Sequence, residues 1–198
     1  MYKIILASKS PRRKEILSSL GLKFEVTDSG FDESSVTEKD PIKLCKLIAE
    51  NKAKKTAEFL TRQNLADKEF LILAADTLIF NEKDIFGKPK NSEEAEKMLR
   101  TFSGTYHTVI TAIYIIDFAA RKTYENHSLS NVFFKKLSDK EISVYLKTME
   151  WQDAAGGYKI QEKAGLFIEK IEGSHSGIIG LPINLLYCML KEAGLDIL

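Results

Sequence analysis

Two arginines near the start of the chain directly follow a serine and a proline, in the order Ser10, Pro11, Arg12, Arg13. This order is typical of a helix N-terminus, with the serine as cap and the proline as first helical residue. Cations in a first helical turn face the positive end of the helix dipole, so a bound anion would relieve the repulsion. Backbone N–H groups and two guanidinium groups favour a phosphate. Solvated arginines near Glu15 are the alternative, and the spacing alone leaves both open.

A carboxylate, Asp76, closes the apolar run of residues 70–75. Such a run is typical of a buried strand, so Asp76 is predicted at the end of that strand, and the apolar pattern resumes at residues 78–80. Ligands of open α/β sheets gather beyond the carboxyl ends of strands, where a carboxylate can act as a general base or bind a metal. A structural role, as a loop cap or in a pair with a lysine, is the alternative.

Three further positions carry charges that can meet a ligand. Lys52 lies on the apolar stripe of a predicted long helix, so its ammonium group must reach either a ligand phosphate or the solvent at the edge of the core. Lys88 stands between a glycine and a proline, a turn that fixes its place. Asp32 and Glu33 are neighbouring carboxylates that can bind a hard cation or remain in water.

The elements that must position these residues alternate between strand and helix. Strands are predicted at residues 2–7, 24–26, 70–80 with an interruption at Asp76, 108–116, 122–134 and 166–171. Helices are predicted from Pro11, over residues 41–62 with Asp40 as cap, after a capping box at Asn91, over 137–149 with a capping box of Ser138 and Glu141, and over 182–193. A Gly- and Ser-rich loop is predicted at residues 173–180. The hairpin of residues 108–134 is expected to leave the main sheet and to form part of a second lobe at about residues 105–150.

Length and charge fit one domain over residues 1–198. Lys and Arg total 29 against 28 Asp and Glu, and a net charge of +1 gives no field that would gather nucleic acid or anionic membrane. Cys45 and Cys188 lack the neighbours of a thiolate metal site. The sequence shows neither a signal peptide nor an apolar run of about 18 residues, so a reduced, cytoplasmic protein without membrane contact is expected.

Eight motifs, in order along the chain, resemble the Maf family of nucleotide pyrophosphatases. They are LASKSPRRKEIL at 6–17, DE at 32–33, NKA at 51–53, AADT at 74–77, GKP at 87–89, SGTYH at 103–107, AAGGYKIQ at 154–161 and GLP at 180–182. One departure lies at Trp151 to Ala154, where a lysine usual in the family is missing. Trp151 either packs in the core or stacks near a base.

The resemblance implies hydrolysis of a nucleoside triphosphate to the monophosphate and pyrophosphate, with an attacking water and a divalent cation, Mg²⁺ or Mn²⁺. It implies a two-lobed α/β fold of the Maf/ITPase-like type, in which helices flank a long mixed sheet and a cleft separates the lobes. It also implies a homodimer, and no stable complex with nucleic acid is expected.

The resemblance assigns roles to nine residues. Asp76 is implied as proton acceptor, and Glu33 and Asp76 are the metal candidates. The substrate-binding positions are Ser8, Arg12, Arg13, Lys52 and Lys88. Arg12, Thr77 and Gln161 match the family members selective for dTTP and UTP, and a Gln amide with a Thr hydroxyl suits a pyrimidine edge. The alternatives are a 7-methyl-GTP pyrophosphatase and a nucleotide-binding regulator that does not hydrolyse its ligand.

Overall fold

The computed structural model of the chain describes residues 3–63 and 69–198, so Tyr2, the first residue of the first predicted strand, lies outside it. Within these ranges seven strands form one sheet: β1 Lys3–Leu6, β2 Phe24–Val26, β3 Phe70–Phe80, β4 Ile85–Phe86, β5 Tyr106–Asp117, β6 Lys122–Phe134 and β7 Ile168–Glu172. The same ranges contain six α-helices: α1 Pro11–Ser19, α2 Pro41–Arg62, α3 Ser92–Phe102, α4 Asp139–Lys147, α5 His175–Ile179 and α6 Ile183–Glu192. Short 3₁₀ turns occupy Glu33–Ser35, Ala155–Gly157 and Lys163–Phe167.

The sheet is mixed, with the strand order β2-β1-β3-β5-β6-β7. Strand β1 runs parallel to β2 and β3, whereas the pairs β3–β5, β5–β6 and β6–β7 are antiparallel. The two-residue strand β4 pairs with the far end of β3. The predicted α/β class with a long mixed sheet is confirmed.

Local signals placed the helix starts correctly. The carboxylate of Asp40 accepts hydrogen bonds from the backbone N–H groups of Ile42 and Lys43, each at 2.9 Å, and thereby caps α2. Helix α4 begins with the reciprocal capping box of Ser138 and Glu141. Helix α1 begins at Pro11 as predicted. The side chain of Ser10, the predicted cap, makes no capping hydrogen bond to any described residue.

Three sequence-based expectations are wrong. Strand β3 runs without interruption through Asp76, because β5 pairs with it from Leu71 to Phe80 and holds its polar residues in the ladder. The same pairing keeps the β5–β6 hairpin in the main sheet instead of releasing it. The expected loop at residues 173–180 contains α5. The second lobe at residues 105–150 stays a prediction.

The core is divided along β3. Leu73 and Ala75 face α1 and α6, whereas Ile72 and Ala74 face α2. Ile79 joins a separate cluster with α3 and α4. Separate apolar clusters therefore share the sheet, and the polar residues Asp76 and Thr77 of β3 lie between them.

Trp151 belongs to the core, which decides between the two interpretations of that residue. Its side chain is 6% exposed and packs with the cluster around α4. The indole N–H donates to the backbone oxygen of Leu146 at 3.0 Å. Among the described helices, none has the length and hydropathy that crossing a bilayer requires.

Gly173 joins β7 to α5 at a φ of 115°. A Cβ atom there would lie 2.7 Å from the backbone oxygen of Leu129 and from Ser130 Oγ. Gly173→Ala should lower the free energy of unfolding in urea by about 3 kcal/mol, because overpacking adds to backbone strain. Gly30, at a φ of 61°, has no described neighbour within 4 Å of its added Cβ, so Gly30→Ala should lose only about 1 kcal/mol. Equal losses would contradict the close contact.

Candidate active site

A cavity of about 890 Å³ opens where one edge of β3 lacks a neighbour. On that edge, β1 pairs with β3 as far as Leu73, and β4 resumes the pairing at Ile79. Within the described ranges no strand covers the edge between them, and Asp76 and Thr77 line the cavity there. Asp76 is therefore in the middle of its own strand but just beyond the carboxyl end of the parallel strand β1, where ligands of such sheets bind.

All nine residues to which a site role was assigned line this one cavity. They are Ser8, Arg12, Arg13, Glu33, Lys52, Asp76, Thr77, Lys88 and Gln161. They come from the loop after β1, from α1, α2 and β3, from the 3₁₀ turn Glu33–Ser35, and from segments 87–89 and 154–161 across the cavity. The fold thus gathers them from both sides of the cleft, and their individual roles stay predictions.

Lys52 lies between two carboxylates. Its Nζ atom is 2.7 Å from Asp76 Oδ1 and 2.6 Å from Glu33 Oε1. Lys52 and Asp76 are buried, whereas Glu33 is exposed at the first position of its 3₁₀ turn. Asp32 accepts a hydrogen bond from the backbone N–H of Ser34 at 3.0 Å and so caps that turn. Of the two neighbouring carboxylates, Asp32 therefore stabilises the turn and Glu33 contacts Lys52.

The protonation of Asp76 reflects its surroundings. Burial raises the pKa of its carboxyl group, while the positive charges of Lys52 and Arg13 oppose this rise and Glu33 adds to it. Beneath it, the thiol of Cys45 donates to the backbone oxygen of Asp76 at 3.3 Å. Burial raises the pKa of that thiol to about 12, so it stays neutral. The carboxylate is thereby suited to accept a proton.

Arg13 is only 8% exposed, and its guanidinium donates hydrogen bonds to three other segments of the chain. Its Nε donates to the backbone oxygen of Gly180 at 2.9 Å, Nη1 to Ser8 Oγ at 3.0 Å and Nη2 to Thr77 Oγ1 at 3.1 Å. Burial lowers the pKa of its guanidinium, and the negative charge of Asp76 counters this effect. A guanidinium carries five N–H groups, so two remain for a ligand.

The opposite wall of the cavity is held to β4 and α3. The backbone N–H of Gly156 donates to the oxygen of Gly87 at 2.9 Å, which joins the two loops that carry Lys88 and Gln161. Lys88 Nζ is 3.7 Å from Asp153 Oδ1, an exposed pair of little energetic weight. Lys88 is therefore available to a ligand at the mouth of the cavity.

Sequence reasoning missed two residues of the site. Tyr158 lines the cavity, and its hydroxyl is 2.7 Å from Nε2 of His107, whose pKa burial lowers to about 3. Thr111 lies directly opposite Thr77 on β5, with 2.8 Å between the two Oγ1 atoms. The available signal was a single threonine among the aliphatic and aromatic residues of the run 109–116.

Comparison with known proteins decides the family. Residues 3–193 match the family described as Maf-like protein. This chain belongs to the Maf family. A dTTP/UTP pyrophosphatase of Treponema denticola is 58% identical over 205 residues, covering 100% of both chains. A dTTP/UTP pyrophosphatase of Alkaliphilus oremlandii is 41% identical and covers 97% of this chain and 96% of its own. The solved HAM1 protein from Coxiella burnetii is 16% identical with a TM-score of 0.49, covering 97% and 100%.

The donor set of this Maf protein fits a divalent cation that binds together with its substrate. Over the described ranges, His, Cys, Asp and Glu form no group of three or more that could hold a metal alone. Asp76 and Glu33 nevertheless converge on a single cation, the Lys52 ammonium. Mg²⁺ is commonly held by one or two carboxylates plus phosphate oxygens, which matches two carboxylates beside an open cavity.

Burial of Asp76 has a cost in stability that pH should reveal. Because its folded pKa is raised, the folded state binds this proton more tightly than the unfolded chain does. Stability therefore falls as pH rises from about 3.9, the unfolded value, through the folded pKa. Asp76→Asn should unfold at higher urea concentration than the wild type at pH 7, and the difference should shrink towards pH 4.

The control for this measurement is Asp28→Asn. Asp28 is exposed, and a hydrogen bond from Lys9 lowers its pKa, so its replacement should stabilise the fold at neither pH. A gain for Asp76→Asn that is the same at both pH values would contradict the assigned burial cost.

Proposed function

We propose that this Maf protein is a dTTP/UTP pyrophosphatase, which hydrolyses each nucleotide to the monophosphate and pyrophosphate. The observation that carries the proposal is a buried carboxylate, Asp76, bound to Lys52 inside a cavity that also presents Arg12 and Arg13. The two relatives named dTTP/UTP pyrophosphatase cover the chain from end to end or nearly so, which supports the same activity here.

The phosphate chain would be held by donors of the loop after β1 and by cations around the cavity. Ser8 Oγ accepts hydrogen bonds from the Ser10 N–H and from Arg13 Nη1, so its own proton is free to reach a phosphate oxygen. The cationic groups that serve the phosphates are Arg12, Arg13, Lys52 and Lys88. Phosphoryl transfer depends on such positioning and on charge stabilisation more than on covalent chemistry.

The chemical step would use Asp76 as general base. Its carboxylate takes a proton from the water whose oxygen attacks the α-phosphorus, the bond between that phosphorus and the bridging oxygen breaks, and pyrophosphate leaves. Asp76 and Glu33 would hold a divalent cation, Mg²⁺ or Mn²⁺, which neutralises charge on the phosphate oxygens. Burial raises the pKa of Asp76, and the positive charge of Lys52 opposes this rise and so favours the carboxylate form.

Base selection would rest on Arg12, Thr77 and Gln161, all of which line the cavity. A Gln amide offers a donor and an acceptor side by side, which matches the edge of a pyrimidine. This favours dTTP and UTP over the alternative substrate, 7-methyl-GTP. Action in the cytoplasm, where nucleoside triphosphates are used, belongs to the same proposal. The homodimer and the absence of a stable nucleic-acid complex stay predictions.

A regulator that binds nucleotides without cleaving them is the alternative of another class. It would share the cationic groups but would have no use for a buried carboxylate with a raised pKa. The paired burial of Asp76 and Lys52 therefore favours the enzyme.

A panel of nucleoside triphosphates tests the activity directly. With Mg²⁺ or Mn²⁺ present, dTTP and UTP should release pyrophosphate faster than 7-methyl-GTP and purine nucleotides. Asp76→Asn should lower kcat by about 10²- to 10⁴-fold, the usual worth of a general base, with an unchanged circular dichroism spectrum. Asp28→Asn alters another carboxylate of the cavity and should retain activity. Tight binding without pyrophosphate would instead indicate the regulator, and a preference for 7-methyl-GTP would overturn the assigned selectivity.

The two charged neighbours of Asp76 should move the acid limb of the kcat/KM profile in opposite directions. Removing the positive charge in Lys52→Gln raises the pKa of Asp76, so the limb should shift to higher pH. Removing the negative charge in Glu33→Gln lowers that pKa, so the limb should shift to lower pH. Initial rates at low substrate concentration across pH 4 to 9 measure both shifts. Shifts of the same sign would show that another group controls this limb.

A further inference from the structure

A chain of hydrogen bonds fixes the direction of the Thr77 hydroxyl. Thr111, which is 1% exposed, donates from Oγ1 to the backbone oxygen of Gly177 at 2.7 Å. Its Oγ1 is also 2.8 Å from Thr77 Oγ1. On its other side, Thr77 Oγ1 receives Nη2–H of Arg13 at 3.1 Å. The chain therefore runs from Arg13 through both threonines to α5.

The proton positions follow from the two ends of this chain. A carbonyl oxygen can only accept and a guanidinium can only donate. The single proton of the Thr111 hydroxyl is used on Gly177, so Thr111 accepts from Thr77. Thr77 in turn uses its own proton on Thr111 and one lone pair on Arg13. A hydroxyl has one proton and two lone pairs, so Thr77 offers the cavity a single acceptor site.

This polarity excludes a role for Thr77 in binding phosphate. Phosphate oxygens of an ionised triphosphate are acceptors, and two acceptors facing each other repel. Ser8 is the contrasting hydroxyl, because both of its lone pairs are occupied and its proton is free. The Ser8 hydroxyl is thus suited to a phosphate oxygen, whereas the Thr77 hydroxyl must meet a donor of the ligand.

The surroundings of Thr77 suit a base. Alternation along β3 directs Thr77 to the face opposite the Asp76 and Lys52 pair. On that side the cavity is lined by Ile178 and Ile179 of α5, the helix to which the hydrogen-bond chain leads. Arg13 borders this side as well. Apolar walls beside a few directed polar groups are typical of a site for a flat ring.

Two donors are shared by dTTP and UTP: the N3–H of the base and the 3′-hydroxyl of the sugar. We propose that Thr111 is a positioning residue that fixes Thr77 as the acceptor for N3–H of thymine or uracil, and so favours these bases over cytosine. This inference rests on the proposed function. Cytosine presents an acceptor at N3, which would face the remaining lone pair of Thr77. The preference arises from Thr111 and Gly177, neither of which needs to touch the base.

The experiment compares kcat/KM for UTP and CTP in matched variants. Thr111→Val keeps the side-chain shape but frees the Thr77 proton to turn towards the base. The preference for UTP over CTP should therefore narrow by about tenfold, the scale of one neutral hydrogen bond. Thr111→Ser restores the hydroxyl and should restore the wild-type ratio. Thr108→Val removes a hydroxyl of the same strand that bonds Asn131 instead and should leave the ratio unchanged.

Several outcomes would overturn the proposal. A Thr111→Val enzyme that loses activity equally on UTP and CTP would make Thr111 merely structural. A change in the ratio of dTTP to 2′,3′-dideoxy-TTP, with the UTP to CTP ratio constant, would assign Thr77 to the sugar. Thr77→Val provides the same test should Thr111→Val fail to fold, and an unchanged ratio there also overturns it. A wild type that cleaves no pyrimidine nucleotide would overturn the proposed function itself and this inference with it, whereas the preceding outcomes would leave that function intact.

Discussion

The burial of the Asp76 carboxylate is the constraint on which the site depends. A carboxylate removed from water is strongly unfavourable unless cations and donors surround it. Lys52 on α2 and Arg13 on α1 supply the positive charges from the two faces of the sheet. Both helices must therefore pack against β3 at fixed heights, and the apolar clusters on each face hold them there. Access follows from the gap between β1 and β4, which leaves this part of β3 open to the cavity.

The alternation of side chains along β3 places two different functions on opposite faces of the sheet. Asp76 points to the α2 face with Lys52, and the next residue, Thr77, points to the α1 face with Arg13 and Thr111. Two adjacent positions of one strand thus serve proton transfer and ligand selection. A shift of β3 by one residue against β5 would exchange the two faces, so the long β3–β5 ladder protects both functions at once.

Features that depend on residues close together in the sequence could be predicted, whereas features that depend on distant residues could not. The starts of α2 and α4 depend on neighbours two or three residues away, and their caps were predicted correctly. The course of β3 through Asp76 depends on β5, more than thirty residues later in the chain, and local pattern predicted a break there. The motifs identified nine residues that line one cavity. The Lys52–Asp76 pair and the direction of the Thr77 hydroxyl, in contrast, arise only from tertiary contacts. Thr111 carried no local signal beyond its polarity.

The charges of the cavity explain why a divalent cation belongs to the proposed reaction. Within the described part of the chain, the lysines around the cavity already face carboxylates: Lys9 with Asp28, Lys52 with Asp76 and Glu33, Lys88 with Asp153 and Lys159 with Glu162. A triphosphate brings about four negative charges near neutral pH. The exposed pairs of Lys9 and Lys88 can open at little cost to meet them, whereas Lys52 is buried between its two carboxylates. If Asp76 and Glu33 held a divalent cation, the Lys52 ammonium that now contacts both carboxylates would be free to turn towards the phosphates. Lys52, which pairs with Asp76 in this structure, would then take the predicted role of phosphate ligand once the substrate binds.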